Sequence, residues 1–138
     1  MRALVDTNVI LDVLLNREAF LPASADVWLA NEQGLFEGFV SAMTPVNVYY
    51  VARSYRRNKK TARELAAVIL KNFQVCPLGM DDLQAALLSN IADYEDAVQS
   101  VQALASKVNV IVTPDAGDFS NSSVRVLSPA DFVKSLIA

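Results

Sequence analysis

The side chains with the clearest chemical potential are carboxylates that stand where strand-like segments end or helical segments begin. Asp6 ends the first apolar run of the chain, and Asp115 follows a later, strongly β-like run. The full set of candidates is Asp6, Asp93, Glu95, Asp96, Asp115 and Asp118. Each of them alone is explained equally well as a helix N-cap or a first-turn acid, positions where Asp is favoured. Their chemistry becomes specific only if several of them meet at one place.

Several carboxylates held together without a basic partner repel one another, and keeping all of them ionised is costly. No lysine or arginine is adjacent in sequence to any member of the set. A divalent cation relieves this repulsion, and Mg²⁺ or Mn²⁺ fits because both ions prefer oxygen ligands. Such an ion activates water and neutralises a phosphate. The acidic set therefore predicts metal-assisted hydrolysis of a phosphodiester.

The composition excludes several other kinds of catalytic site. The 138 residues include no histidine, which excludes a Ser-His-Asp triad and a His-ligated zinc site. Cys76 is the only cysteine, so an intramolecular disulfide, an iron–sulfur cluster and a Cys-rich zinc site are excluded, and we expect a buried thiol. The four glycines, at positions 34, 38, 79 and 117, cannot form a P-loop or a dinucleotide-binding fingerprint.

Length and hydropathy predict the domain organisation and the location of the protein. An apolar fraction of 53% over 138 residues is enough for one core, so we expect a single domain spanning residues 1–138. No apolar run has the length of a membrane span, and the N-terminus reads as a first strand rather than a signal peptide. We therefore expect a cytoplasmic protein with no membrane partner.

Short apolar segments alternate with amphipathic segments along the chain. Strands are predicted over residues 2–5, 38–41, 74–77, 108–113 and 124–127, and helices over residues 7–15, 23–33, 45–55, 61–73, 81–91, 95–107 and 129–137. This alternation is typical of an α/β fold, a three-layer α/β/α sandwich with a central parallel sheet. Ligands of such sheets bind beyond the carboxyl ends of the strands. The candidate acids converge there if the first and fourth strands are adjacent.

Five motifs in register resemble the PIN-domain family, which includes the VapC-type toxins of bacterial toxin–antitoxin pairs. The motifs are L-V-D-T-N-V-I-L-D, V-S-A-M-T-P-V-N-V-Y-Y-V, D-Y-E-D-A-V-Q, I-V-T-P-D-A-G-D-F and V-L-S-P-A-D-F, and together they cover essentially the whole chain. The resemblance implies a PIN-like parallel sheet with an acidic pocket, Mg²⁺ or Mn²⁺ as cofactor, and cleavage of single-stranded RNA. It also implies a homodimer and inhibition by a small antitoxin protein.

The resemblance assigns roles by position. It implies that the metal ligands are Asp6, Asp96 and Asp118, and that Asp115 shares their catalytic role. The polar residues that it places along or behind the pocket are Thr7, Asn8, Ser41, Glu95 and Thr113. Side chains of this kind hold carboxylates in orientation by donating hydrogen bonds to them. Asp12, further along the first helix, is expected at the surface.

Asn47 departs from the family pattern, because PIN nucleases usually carry a glutamate at this position of the third helix. An amide oxygen can ligate a hard metal, but it brings no negative charge. Two functions therefore remain open: a metal-dependent endoribonuclease, and a PIN-like module that binds RNA or protein with little or no catalysis. A receiver-like phosphoacceptor domain would need a lysine after a late strand, and a haloacid dehalogenase-type phosphatase would need Asp where Asn8 stands.

Half of the twelve basic residues lie in one short stretch, although the chain carries a net charge of −3. They are Arg53, Arg56, Arg57, Lys59, Lys60 and Arg63. A solvated helix end explains this stretch as well as a phosphate-attracting patch does. Because the predicted third helix begins near the pocket, we expect the RNA-binding residues to be Arg53, Arg56, Arg57, Lys59 and Lys60. An acidic antitoxin segment is the other candidate partner.

Replacing Arg56, Arg57, Lys59 and Lys60 by glutamine should weaken binding of single-stranded RNA and reduce its dependence on salt, since fewer counterions are released. Fluorescence anisotropy over a salt series measures both quantities. A control variant neutralises three basic residues outside the stretch, Lys71, Arg125 and Lys134. Equal affinities and salt slopes for the two variants and the wild type would remove this stretch from RNA binding.

Overall fold

The computed structural model describes residues 1–17, 21–56 and 58–137. The strands are β1 (Arg2–Val5), β2 (Glu37–Ser41), β3 (Gln74–Cys76), β4 (Val110–Val112) and β5 (Arg125–Leu127). The helices are α1 (Thr7–Leu14), α2 (Leu21–Glu32), α3 (Met43–Arg56), α4 (Lys59–Asn72), α5 (Met80–Leu87), α6 (Tyr94–Ala105) and α7 (Pro129–Ile137), with a short 3₁₀ helix at Ala116–Phe119. No helix within these ranges is both long and apolar enough to cross a bilayer.

The five strands form one parallel sheet in the order β3-β2-β1-β4-β5. Leu4 of β1 pairs with Phe39 of β2 on one side and with Ile111 of β4 on the other. The predicted α/β/α sandwich with a central parallel sheet is therefore confirmed. The chain starts in the middle of the sheet and extends it first towards β3 and then towards β5. This reversal falls between β1 and β4, at the kind of position where open parallel sheets bind ligands.

The sheet forms two cores because successive side chains of a strand point to opposite faces. Ala3 and Val5 pack on one face with residues of α1, α2, α3 and α7, whereas Leu4 packs on the other face beside α6. All three side chains are fully buried. Burial of a Val or Leu side chain contributes about 1.5–3 kcal/mol, so β1 is fixed firmly from both sides.

Several predicted element ends were too late or too early along the chain. The helix predicted over residues 81–91 ends at Leu87. The next helix begins at Tyr94, where Asp93 caps it by accepting a hydrogen bond from the backbone N–H of Asp96. The strand predicted over residues 108–113 is shorter, because Lys107 has φ 56° and the Val108 N–H still bonds to Ala103 in the turn that ends α6. That residues 1–138 form a single domain stays a prediction.

The prediction that Asp12 lies at the surface was wrong. Its side chain is buried, with 2% of the residue exposed. The Nε of Arg17 lies 3.0 Å from Oδ1 of Asp12, outside hydrogen-bonding direction, and the Ser24 hydroxyl donates to Oδ2 at 3.0 Å. An opposite charge and a hydrogen bond compensate for the lost hydration of a buried carboxylate. Asp12 therefore joins α1 to α2. Cys76 is buried as expected, and burial raises the pKa of its thiol.

Gly38 of β2 lies where two side chains crowd the backbone. A Cβ atom at this position would stand 2.5 Å from Oδ1 of Asn31 and 2.8 Å from Cδ1 of Phe73. Asn31 has little freedom to move away, because Oδ1 accepts from the Gly38 N–H and Nδ2 donates to the Asn72 carbonyl. The absence of a side chain at Gly38 is thus required by packing.

Gly38→Ala should lower the free energy of unfolding by about 1–3 kcal/mol, the usual effect of overpacking a close-packed site. Urea denaturation followed by circular dichroism measures the change. Gly117→Ala is the matched control, because no atom lies within 4 Å of a Cβ built there. We expect the control to stay within about 0.5 kcal/mol of the wild type. Equal losses in the two variants would contradict the packing explanation.

Candidate functional site

A cavity of about 440 Å³ opens where β1 and β4 lead into the segments that follow them. Its acidic lining consists of Asp6, Asp93, Glu95, Asp96, Asp115 and Asp118. The other lining residues are Thr7, Asn8, Leu11, Asn47, Tyr50 and Val51. The structure thus brings the six candidate acids of the sequence to one place. Within the described part of the chain, no lysine or arginine lines this cavity.

Asp6 is the most firmly held of these acids. It follows β1 directly, is only 2% exposed, and its backbone N–H donates to Val112 at 2.9 Å. One carboxylate oxygen accepts from Nε2 of Gln99 at 2.9 Å, and the other accepts from the Thr113 hydroxyl at 2.7 Å. Burial raises the pKa of Asp6, and these two hydrogen bonds offset part of that rise. The carboxylate is therefore fixed in orientation by α6 and by the end of β4.

Gln99 contacts a cavity acid, and the sequence analysis did not predict it as a site residue. It is fully buried in α6, three residues after Asp96, so both side chains lie on the same side of the helix. That spacing from a candidate acid was the available signal. A buried glutamine side chain needs a polar partner, and here the partner is Asp6.

Asp96 is surrounded by negative charge. Burial raises its pKa, and so do the charges of Asp93, Asp6, Asp118 and Glu95, bringing the pKa from 3.8 to about 7. The pKa of the neighbouring Glu95 is also raised, first by burial and then by the charges of Asp6 and Asp93. These shifts show that the acids are close enough to oppose one another's ionisation.

A hydrogen-bonded chain holds Asp115 at the edge of the cavity. Nδ2 of Asn8 donates to Oδ2 of Asp115 at 3.0 Å, and the Asp115 N–H donates to the Thr113 hydroxyl. Nη2 of Arg17 donates to the carbonyl oxygen and to Oδ1 of Asn8, at 3.1 and 3.3 Å. Arg17 therefore supports Asn8 and pairs with Asp12, without lining the cavity itself. Asp118 is exposed on the 3₁₀ helix, whose first turn ties its N–H to the Asp115 carbonyl.

The remaining predicted polar residues divide into cavity and supporting positions. Asn47 lines the cavity, and its Nδ2 donates to Oε1 of Glu95 at 3.1 Å. Thr7 also lines it and shares a hydrogen bond with the buried Thr44. Ser41 does not line the cavity; its hydroxyl accepts from the Met43 N–H where α3 begins.

The described residues of the basic stretch lie at the end of α3 and in the first turns of α4. Arg53 is half-buried near the end of α3, and Lys59 and Lys60 are exposed at the start of α4. Arg57 and the side chain of Arg56 lie outside the described residues. None of the described basic side chains of this stretch lines the acidic cavity.

The donor set of the cavity fits a hard divalent cation, since carboxylates and amides supply the oxygen ligands that Mg²⁺ and Mn²⁺ prefer. Asp6, Asp96 and Asp118 are the residues that would hold it. Among residues 1–17, 21–56 and 58–137, however, no three Asp, Glu or Cys side chains are grouped closely enough to form a metal site as they stand. Like-charge repulsion opposes a closer approach without a cation. A shared cation therefore stays a prediction.

A parallel sheet with an acidic cavity beyond its carboxyl ends places the chain among the α/β proteins that bind ligands at strand ends. Residues 2–117 match the family model of the PIN domain, so the chain belongs to the PIN domain family. The family resemblance seen in the motifs is thereby confirmed. A search of curated proteins finds no significant match.

Solved structures share the fold at low sequence identity. FitAB bound to an IR36 DNA fragment is 20% identical with a TM-score of 0.71, covering 93% of this chain and 95% of that chain. VapBC2 from Rickettsia felis, bound to a DNA fragment from its promoter, is 11% identical with a TM-score of 0.70, covering 93% and 98%. VapBC-1 from nontypeable Haemophilus influenzae is 14% identical with a TM-score of 0.67, covering 94% and 98%. These likenesses show the fold alone.

Asp96→Asn should stabilise the metal-free protein more at pH 8 than at pH 5. Because the folded-state pKa of about 7 lies above the ordinary value of 3.8, the folded protein loses stability as the pH rises between these values. The variant lacks the charge that causes this loss. Asp96 is partly solvated, so we expect a difference below about 1 kcal/mol.

Thermal unfolding with chelator, at pH 5 and pH 8, measures this difference. Asp131→Asn is the control, because Asp131 is exposed in α7 and does not line the cavity. A stabilisation by Asp96→Asn that is the same at both pH values would show that the pKa of Asp96 is not raised in the folded protein.

Proposed function

We propose that this PIN-domain protein is a metal-dependent endoribonuclease that cleaves single-stranded RNA. The observation that carries the proposal is the 440 Å³ cavity lined by six carboxylates, with no basic side chain among its described lining residues. Such a cavity attracts a divalent cation and repels a phosphate. An RNA backbone can therefore bind there only when a cation neutralises the carboxylates. Mg²⁺ or Mn²⁺ is the proposed cofactor.

The proposal gives each group in the cavity a distinct task. Asp6, Asp96 and Asp118 hold the ion, and Asp115, fixed by Asn8, completes the acidic wall. When bound, the ion supplies charge neutralisation at the scissile phosphate and acidifies a water molecule. Glu95 takes up the proton of the attacking water, because the chain has no histidine and burial raises the pKa of Glu95 above its ordinary value, which makes its carboxylate a stronger base.

The proposed biological setting is a toxin–antitoxin pair in the cytoplasm. The family resemblance supports it, and so does the fold shared with VapBC2 and VapBC-1. The partners included in the proposal are single-stranded RNA, an antitoxin protein and a second copy of the chain in a homodimer. Exposed apolar side chains on α2 and α3, such as Leu29 and Val46, offer surface for either protein partner.

A second candidate function is an RNA- or protein-binding module with little or no catalysis. Asn47 favours it, because this residue stands where the family usually has glutamate. Its amide donates to Glu95 instead of adding a carboxylate to the cavity. The two candidates differ in one respect that is easily measured: a binding module does not cut RNA when metal is added.

Cleavage of a labelled single-stranded RNA should require Mn²⁺ or Mg²⁺ and stop when a chelator is added. Asp6→Asn should reduce the cleavage rate at least about 100-fold, because Asp6 is the best-ordered ligand of the proposed ion. Asp26→Asn, an exposed acid of α2, is the control and should cut at the wild-type rate. Circular dichroism verifies that both variants are folded.

RNA binding without metal-dependent cleavage, and with no effect of Asp6→Asn, would replace the nuclease by the binding module. Cleavage that persists in chelator, and equally in the Asp6→Asn variant, would come from a contaminant or from another site. Either result contradicts the proposed function.

A further inference from the structure

Tyr50 of α3 lines two cavities at once. It forms part of the wall of the acidic cavity, and it also lines a second, mostly apolar cavity of about 460 Å³ between α3 and α4, here called the α3–α4 groove. The principal residues of the groove are Val46, Tyr49, Tyr50, Arg63, Ala67 and Leu70. Tyr50 is 66% exposed, so one aromatic side chain stands in solvent between the two cavities.

Helical spacing explains why Tyr50 belongs to both. Asn47 and Tyr50 are three residues apart and face the acidic cavity together with Val51. Val46 and Tyr50 are four residues apart and face the groove together with Tyr49. The rings of Tyr49 and Tyr50 meet edge to face, with centroids 5.0 Å apart and an interplanar angle of 88°. This contact restricts the orientation of the exposed ring.

We infer that Tyr50 stacks on a base of single-stranded nucleic acid whose backbone runs from the acidic cavity into the α3–α4 groove. The inference rests on the proposed function, which places a phosphate of that strand in the acidic cavity. Bases have apolar faces that stack on exposed aromatic rings, whereas their phosphates need cations. The groove offers both, because its apolar lining includes Arg63.

With the proposed cation bound in the acidic cavity, charge distribution favours a nucleic acid strand over an acidic or apolar protein segment as the occupant. The strand needs cation binding at one phosphate, an apolar surface for a base, and a positive charge beyond it. Tyr50 lines both the acidic cavity and the groove, whereas Arg63 lines only the groove. A strand that leaves the acidic cavity past Tyr50 therefore enters the groove that contains Arg63. A duplex keeps its bases stacked and paired, so contact with Tyr50 selects unpaired strands.

The test measures binding of two fluorescein-labelled ten-nucleotide probes by anisotropy, with Ca²⁺ in place of Mg²⁺ or Mn²⁺ so that a hard cation is available to the acidic cavity. Gel electrophoresis verifies that the probes stay intact during the measurement. One probe is an RNA of ten adenosines, and the other has the same backbone without bases. We expect Tyr50→Ala to raise the Kd for the adenosine probe about 5- to 100-fold, and Tyr50→Phe to change it less than about 2-fold. The Kd for the probe without bases should be the same for all three proteins.

Tyr55→Ala is the matched control. Tyr55 is also on α3 and is 70% exposed, but it lines neither the acidic cavity nor the groove. It should leave the Kd of both probes within about 2-fold of the wild type. In Mn²⁺, Tyr50→Ala should raise KM for RNA cleavage with little change in kcat, because stacking acts on substrate binding.

The inference is overturned if the wild type does not bind the adenosine probe, if Tyr50→Ala binds it normally, or if the loss is equal for the probe without bases. It is also overturned if Tyr50→Ala converts a dimer to a monomer in sedimentation while RNA affinity stays unchanged, which would assign the groove to a second copy. RNA binding that depends on Tyr50 without any metal-dependent cleavage supports the inference and defeats the proposed nuclease. Cleavage that depends on Asp6 with a KM insensitive to Tyr50 defeats the inference alone.

Discussion

Repulsion among carboxylates is the constraint around which the rest of this molecule is arranged. Six acids share one cavity, and no described lysine or arginine lines it. Asp6 is nearly inaccessible to solvent and receives only neutral hydrogen bonds, from Gln99 and Thr113. A fold relieves such crowding by moving the acids apart, by protonating them or by binding a cation. Asp6 itself cannot move away, because it continues a strand that is packed on both faces. The other acids keep their distance from it, since no three of the described acids are grouped closely enough to form a metal site. Protonation also contributes, because the pKa of Asp96 is raised to about 7.

Arg17, which supports a residue of the cavity from behind, illustrates how the negative charge of the site is preserved. Arg17 could have neutralised a cavity acid, but its guanidinium pairs with the buried Asp12 and donates to Asn8. Asn8 in turn donates to Asp115 through a neutral amide. The Arg17 guanidinium therefore stabilises the fold and orients Asp115 through Asn8. It does not compensate the negative charge of the cavity itself. Asp12 and Arg17 explain why α1 is held rigidly enough to keep Asn8 in place.

The sequence predicted the fold because its information there is local: short β-like runs, amphipathic segments between them, and polar residues where the runs end. The acids could be found by the same argument, since the end of a parallel strand is a defined place in the sheet. The residues that were missed or misplaced depend on tertiary contacts. Gln99 looks like an ordinary helix residue until α6 is laid beside β1, and Asp12 looks solvated until α2 covers it. The exposure of Tyr50 likewise depends on tertiary packing, because α4 packs beside α3 and still leaves this residue 66% exposed.

Asn47 is the point at which the chain departs from the predicted PIN pattern, which has a glutamate in the third helix. A glutamate at this position would add one more negative charge to a cavity that six acids already line. Asn47 instead donates to Glu95, and this hydrogen bond lowers the pKa of a carboxylate that burial and like charges raise. Asn47 thus adds no charge to the cavity and moderates the pKa of one of its acids. The six carboxylates and the amide oxygen of Asn47 are oxygen donors of the kind that a divalent cation prefers.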